Sequence, residues 1–233
     1  MDDFKVDAMA ARRGVCDPLQ WPTDLVRQVD RFLFGASQWV SPGALWARIE
    51  ATQAVPPNAL PLDLQSLSAG QLQRLADRVA PIGDIELRRL TRDWHSRLAL
   101  LDAQHWMDLG FTLSVLPFCG HVQRSMDGNF RRALRDQFGV DAAGLLDEQA
   151  GKGPALKFLL GPGAWKHPQR VAAGGVSAAM AQLCDWGGAV RQRFALQFDP
   201  QVLAAPASVE GLDETSLEIA CKLTLQDHPW LWS

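Results

Sequence analysis

Residues 84–116 read DIELRRLTRDWHSRLALLDAQHWMDLGFTLSVL, and the fold class turns on how this stretch is read. Two apolar stripes run through it. Leu87, Leu90, Trp94, Leu98 and Leu101 recur at steps of three and four, and so do Trp106, Leu109, Leu113 and Leu116. That period places each set on one face of a helix. The step from Leu101 to Trp106 is five, so the stripe slips phase at Asp102, a residue able to cap a new helix start. The spacing therefore predicts two successive helices, broken near Asp102, with Trp94 in the core. Arg88, Arg89, Arg92, Asp93 and Arg97 fall on the outer face. Asp84/Arg88 and Asp93/Arg97 form acid-before-base pairs four apart, which suit a solvated helix surface.

The same period recurs on both sides of this stretch. Pro22-Thr23-Asp24 reads as a helix entry, with Thr23 or Asp24 as cap, Leu25, Val29, Phe32 and Leu33 inside, and Gly35 as the stop. Leu45, Trp46 and Ile49 form the stripe of a second helix after Ser41-Pro42. Prolines 56, 57 and 61 force extended backbone on the residues before them and make 55–61 a connector. Ser68-Ala69-Gly70-Gln71 is a capping-box pattern opening a helix that buries Leu72, Leu75 and Val79. A further helix starts at Asp127 or Asn129, with Phe130, Ala133, Leu134 and Phe138 inside. Leu156, Phe158, Leu159 and Leu160 make an apolar run closed by Gly161-Pro162-Gly163. Residues 167–190 read as one helix rich in small side chains, whose glycines call for close helix packing. The alternation in 193–198 and the segment 223–225 predict two short strands. The expected fold is mainly α, an irregular multi-helix body with one or two short strands near the C-terminus. Residues 1–54 form an N-terminal helical segment packed on a main helical domain of 55–233.

The chain has 233 residues, 47% of them hydrophobic, enough to bury a sizeable core. Its net charge of −3 argues against a general nucleic-acid binder. The acidic start Met1-Asp2-Asp3 predicts no secretory signal, and no stretch reaches the length of a membrane span. Cys16, Cys119, Cys184 and Cys221 lie far apart and lack zinc spacing, so free thiols are expected. Nine Trp and no Tyr is an unusual aromatic balance, accounted for by Trp at stripe positions.

No catalytic pattern emerges. Gly151-Lys152-Gly153 resembles a phosphate loop only in part, because no following Ser/Thr completes the motif, and the dinucleotide fingerprint fails too. His95, His105, His121, His167 and His228 share no metal spacing. Ser177 lies in a small-residue helix rather than on a sharp turn. The expectation is no enzyme, no cofactor and no metal. The candidate site is a basic cluster, Arg124, Arg131, Arg132 and Arg135. Its bland reading is a solvated helix face; its functional reading is a contact with an acidic partner.

Several segments in order resemble the K component of bacterial type III secretion systems (the SctK family, including its plant-pathogen Hrp branch). Asn58-Ala59-Leu60-Pro61-Leu62 looks like the family's proline-flanked connector. Leu109-Gly110-Phe111 is similar to the Leu-Gly helix leading into its middle region. Leu159-Leu160-Gly161-Pro162, with Trp165 beyond, resembles its apolar run closed by Gly-Pro. Arg193-Phe194-Ala195-Leu196 resembles its C-terminal basic-apolar segment. The resemblance spans residues 55–200. It implies a non-enzymatic adaptor of the cytoplasmic sorting platform, peripheral to the inner membrane through the secretion apparatus and without insertion into it. The implied partners are the cytoplasmic domain of the inner-membrane ring protein (SctD-like) and the Q-type platform protein (SctQ-like), with no nucleic acid. Two other classes stay open. A helical chaperone or regulatory binding protein would show an exposed groove sized for a partner helix. An enzyme with an unrecognised site would show a polar pocket with perturbed titratable groups.

Overall fold

The computed structural model describes residues 21–51, 66–118, 132, 156–161 and 163–233. The described residues are mainly helical, with one two-stranded antiparallel sheet. The chain folds as two compact units: residues 1–103, 185–200 and 228–233 form the first, and 104–184 and 201–227 the second. Within the first unit Leu45 and Ile49 share a core with Ala76 and Val79.

In the first unit, α1 (Thr23–Phe34) buries Leu25, Val29, Phe32 and Leu33, the face its spacing predicts. Its N-cap position is Pro22 rather than Thr23 or Asp24, and no side chain caps it. Gly35 does end it: a Cβ there would stand 2.8 Å from the Arg31 carbonyl oxygen. After α2 (Ala36–Trp39) and α3 (Pro42–Ala51), helix α4 (Ala69–Val79) opens with the full capping box. Ser68 Oγ accepts from Gln71 N–H at 3.3 Å, and Gln71 Oε1 accepts from Ser68 N–H at 2.8 Å.

The first central helix is not continuous. It is two single turns, α5 (Leu87–Leu90) and α6 (Trp94–Arg97), followed by a 3-10 turn at Leu98–Leu100. The break at 91–93 has local causes. Thr91 Oγ1 donates back to the Leu87 carbonyl at 2.9 Å. Asp93 is in extended conformation as the N-cap of α6, accepting from Ser96 N–H at 2.8 Å. Its ion-pair partner is Arg92, at 2.7 Å, rather than the expected Arg97. Arg97 instead turns partly inward and donates to the carbonyls of Trp230, Leu231 and Ser233. Trp94 is half-buried, not core: it stacks on His95, centroids 3.7 Å apart, and meets the exposed Trp232 in a tilted contact at 5.1 Å. The Asp84 side chain lies outside the described part, and with it the Asp84/Arg88 pair.

The expected strand at 193–198 is helical. Arg193 and Phe194 belong to α9 (Gly188–Ala195), which follows a break at Gly187, φ +66°. The reading of 167–190 as one helix is thereby corrected: α8 (Pro168–Gln182) ends before that glycine. Arg193 is fully buried. Its guanidinium donates to the carbonyls of Phe32 (2.9 Å), Leu33 and Ala80 (3.0 Å), ion-pairs with Asp77 at 3.0 Å, and lies 5.3 Å from the Trp39 ring centroid. It thus satisfies the orphan carbonyls at the ends of both α1 and α4. Burial pulls its pKa down, and Asp77 counters this.

In the second unit, α7 (Ala103–Val115) starts one residue after Asp102, where the stripe changes phase. It packs on α8 at a glycine pair: a Cβ on Gly175 would lie 1.8 Å from the Gly110 carbonyl oxygen, inside atomic contact. Ser114 Oγ fills the polar demand beside this crossing, donating to the Gly110 carbonyl at 2.9 Å and lying within hydrogen-bond reach of Ser208 Oγ. The strands are β1 (Lys157–Phe158) and β2 (Val209–Glu210), in register Lys157 to Glu210 and Phe158 to Val209. Between them in sequence lies the short helix α10 (Pro200–Leu203). The expected strand at 223–225 belongs instead to the end of α11 (Glu214–Thr224). Among the described residues, no helix is long and apolar enough to cross a membrane.

Candidate functional site

Of the basic cluster, Arg132 is the one member within the described residues; it is helical and exposed. Arg124, Arg131 and Arg135 lie outside them, as do Gly151-Lys152-Gly153, the connector 55–61 and the helix expected from Asp127 or Asn129. Among the described residues no cluster of His, Cys, Asp and Glu has the makings of a metal site. Cys184 and Cys221 are buried thiols outside any disulfide, and burial, with smaller contributions from Cys184 and Glu218, pushes the Cys221 thiol far above its ordinary range. A thiol held protonated in this way is a packing group, not a nucleophile.

Among the described residues, the second unit has a cleft of about 830 Å³ that is open to solvent. Its walls follow from local sequence. Leu159 N–H donates to the Ser208 carbonyl at 2.8 Å, extending the β1–β2 pairing and fixing where the next residues go. Gly163 then takes φ +85°, a conformation that favours glycine, and turns the chain into the 3-10 turn Ala164–Lys166. Phe158 stacks on Trp165 at 5.0 Å, and Trp165 meets Phe111 edge-on at 6.3 Å. Beside these rings Leu160, Gly161, Gly163 and Ala164 make one wall. The opposite wall, Val202 to Pro206, sits close because Gly174 has no side chain: a Cβ there would lie 2.9 Å from the Pro206 carbonyl oxygen. Met107 of α7 and Val171 and Ala173 of α8 contribute apolar surface between the walls.

The polar side chains that line the cleft are His167, Gln169 and Arg170 from the start of α8 and Gln201 from α10; among the described residues no Asp or Glu lines it. The sequence reading named His167 only as a histidine without metal spacing and did not single out Arg170. The available signal was a first helical turn, Pro168-Gln169-Arg170, with a cation and no acid, against the usual preference at a positive helix end. The chain matches no protein-family description, no curated protein and no solved structure.

Proposed function

We propose that this protein is a non-enzymatic adaptor of the cytoplasmic sorting platform of a type III protein secretion system. In this reading it links the cytoplasmic domain of the inner-membrane ring protein to the Q-type platform protein. The observation that carries the reading is the ordered set of segments resembling the K component. What supports it physically is the kind of position those segments occupy. Gly110 makes the close helix crossing with Gly175. Leu160 and Trp165 pack on the cluster of Phe111, Val115, Val171 and Ala172. Arg193 collects carbonyls from two helix ends. Gly110, Leu160, Trp165 and Arg193 are thus packing positions, which supports reading these segments as structural ones. A helical chaperone or regulatory binding protein is the second reading, favoured by the open apolar cleft.

The test is co-purification of the wild type, and of the Arg131→Glu/Arg135→Glu double variant, with each of the two partners separately. The wild type is expected to retain both. The double variant is expected to lose one partner while keeping its fold, and the difference should shrink as salt rises above about 0.15 M, where the screening length is already roughly 8 Å. Failure of the wild type to bind either partner overturns the adaptor reading; full retention by the double variant removes the Arg cluster from it.

A further inference from the structure

We infer that the cleft between the 160–164 turn and the 202–206 segment is a docking groove for an acidic amphipathic helix of a protein partner. The lining supplies the apolar half of the argument: Met107 and Val171 lie between walls that carry Leu160, Val202 and Pro206. The charge supplies the other half. Arg170 is exposed at the groove, and among the described residues it has no carboxylate partner and none that lines the groove is acidic. Arg170 also stands in the first turn of a fifteen-residue helix, where the helix dipole disfavours a cation. His167, the N-cap residue, makes no side-chain cap bond there. A helix start furnished against its own stability is a local rule broken at one place, which marks a surface selected for something else. An anionic group from outside would meet both the guanidinium and the positive helix end.

The shape decides the class of ligand. Small-molecule sites bury most of their ligand's surface, roughly 70–90%. An open cleft leaves part of its occupant in water, which suits a helix whose outer face stays solvated. The expected occupant has apolar residues at i, i+3, i+4 and i+7 toward the floor and Asp or Glu beside them, within reach of Arg170. The inference stands on this geometry and charge and does not depend on the secretion-system reading.

The experiment is selection of displayed random peptides of about 14 residues, roughly four helical turns, on the full chain, on Arg170→Glu and on Val202→Asp. Both substituted positions lie outside the buried core, and unchanged melting curves would show that the folds are intact. On the wild type, selected peptides should carry Leu, Ile or Phe at helical spacing flanked by Asp or Glu. Resynthesised, they should bind Arg170→Glu at least about tenfold more weakly, and Val202→Asp should lose them. Selection on Arg170→Glu should favour Lys and Arg instead. No enriched sequence, or enrichment indifferent to Arg170→Glu, overturns the proposal. So does flotation with vesicles containing phosphatidylglycerol that Arg170→Glu abolishes, if no peptide is selected, since a lipid surface would then be the occupant.

Discussion

Arg193 and Asp77 meet at 3.0 Å in the first unit, yet the pair is lopsided: the arginine side chain is wholly buried and the aspartate side chain is 35% exposed. The carboxylate is one of four acceptors around the guanidinium, the others being the carbonyls of Phe32, Leu33 and Ala80. Those carbonyls are the ones that lose most if the arginine goes, because they end helices α1 and α4 and have no place in either helix's own bonding.

Removing the two partners should therefore have unequal effects. Arg193→Met takes the guanidinium donor from the Phe32 and Ala80 carbonyls, while the Leu33 carbonyl keeps Gln73 Nε2 at 2.9 Å, and should lower stability by about 3–5 kcal/mol, the range for breaking a buried charged network. Asp77→Asn keeps those carbonyl bonds and leaves a half-exposed amide beside the guanidinium, so about 1–2 kcal/mol is expected. Urea titrations of the two variants decide it. Equal losses would mean that the ion pair, not the carbonyls, holds Arg193 in place.

The tryptophans of the central stretch should also separate. Trp106 is fully buried in α7, and Trp106→Ala should lose about 3–5 kcal/mol. Trp94 is half-buried against His95 and Trp232. Its truncation gives up part of an aromatic cluster without opening a sealed cavity, and about 1–2 kcal/mol is expected. Matched denaturation midpoints for the two variants would place Trp94 in the core after all.

Much of the helical architecture was legible because burial imposes a period. The faces of α1 and α4, the capping box at Ser68 and the restart after Asp102 all follow from spacing and cap chemistry. Period alone misled at Trp94, where the stripe runs on but the chain does not. Asp93, with Ser96 three residues later, was the local signal of a new cap, and it outweighed the stripe. Arg193 was illegible for a different reason. Its carbonyl partners lie 113 to 161 residues away in sequence and carry no side-chain signature. The alternation of 193–198 mimicked a strand, while the bonds that place Arg193 depend on backbone ends that only the tertiary fold brings together. The cleft was hidden likewise, since its walls join three separated segments through a glycine with nothing in its place.

The glycines sort into two kinds that substitution should distinguish. Gly175→Ala drives a Cβ into the Gly110 carbonyl, and neither backbone can yield without moving a helix. A loss of about 3 kcal/mol or more is expected, at or beyond the upper end for overpacking. Gly70 lies in the first turn of α4 with nothing within 4 Å of an added Cβ. Gly70→Ala should raise stability by about 0.4–1 kcal/mol by restricting the unfolded chain. Thermal melts of both variants test the crossing directly: a tolerated Gly175→Ala would show that α7 and α8 do not approach as closely as their backbones indicate.

The start of α11 carries a pH signature. Asp213 is its N-cap, accepting from Ser216 N–H at 2.8 Å and from Ser216 Oγ at 2.6 Å. Those two donors hold the carboxyl below the usual aspartate range. A carboxyl whose folded pKa lies below its unfolded one binds protons more readily when unfolded. Its contribution is then fully present above the unfolded value, about 3.9, and is lost as pH falls through the lower folded value. Asp213→Ala should lower stability at neutral pH by about 1 kcal/mol through loss of the cap. Asp213→Asn keeps an acceptor oxygen but no charge, so its deficit relative to wild type should be smaller and should narrow as the pH falls below about 4. Urea titrations of the three proteins at neutral pH and in the acid range measure both effects. A gap between wild type and Asp213→Asn that stayed constant across that range would show that the Ser216 bonds do not distinguish the charged carboxylate from the amide.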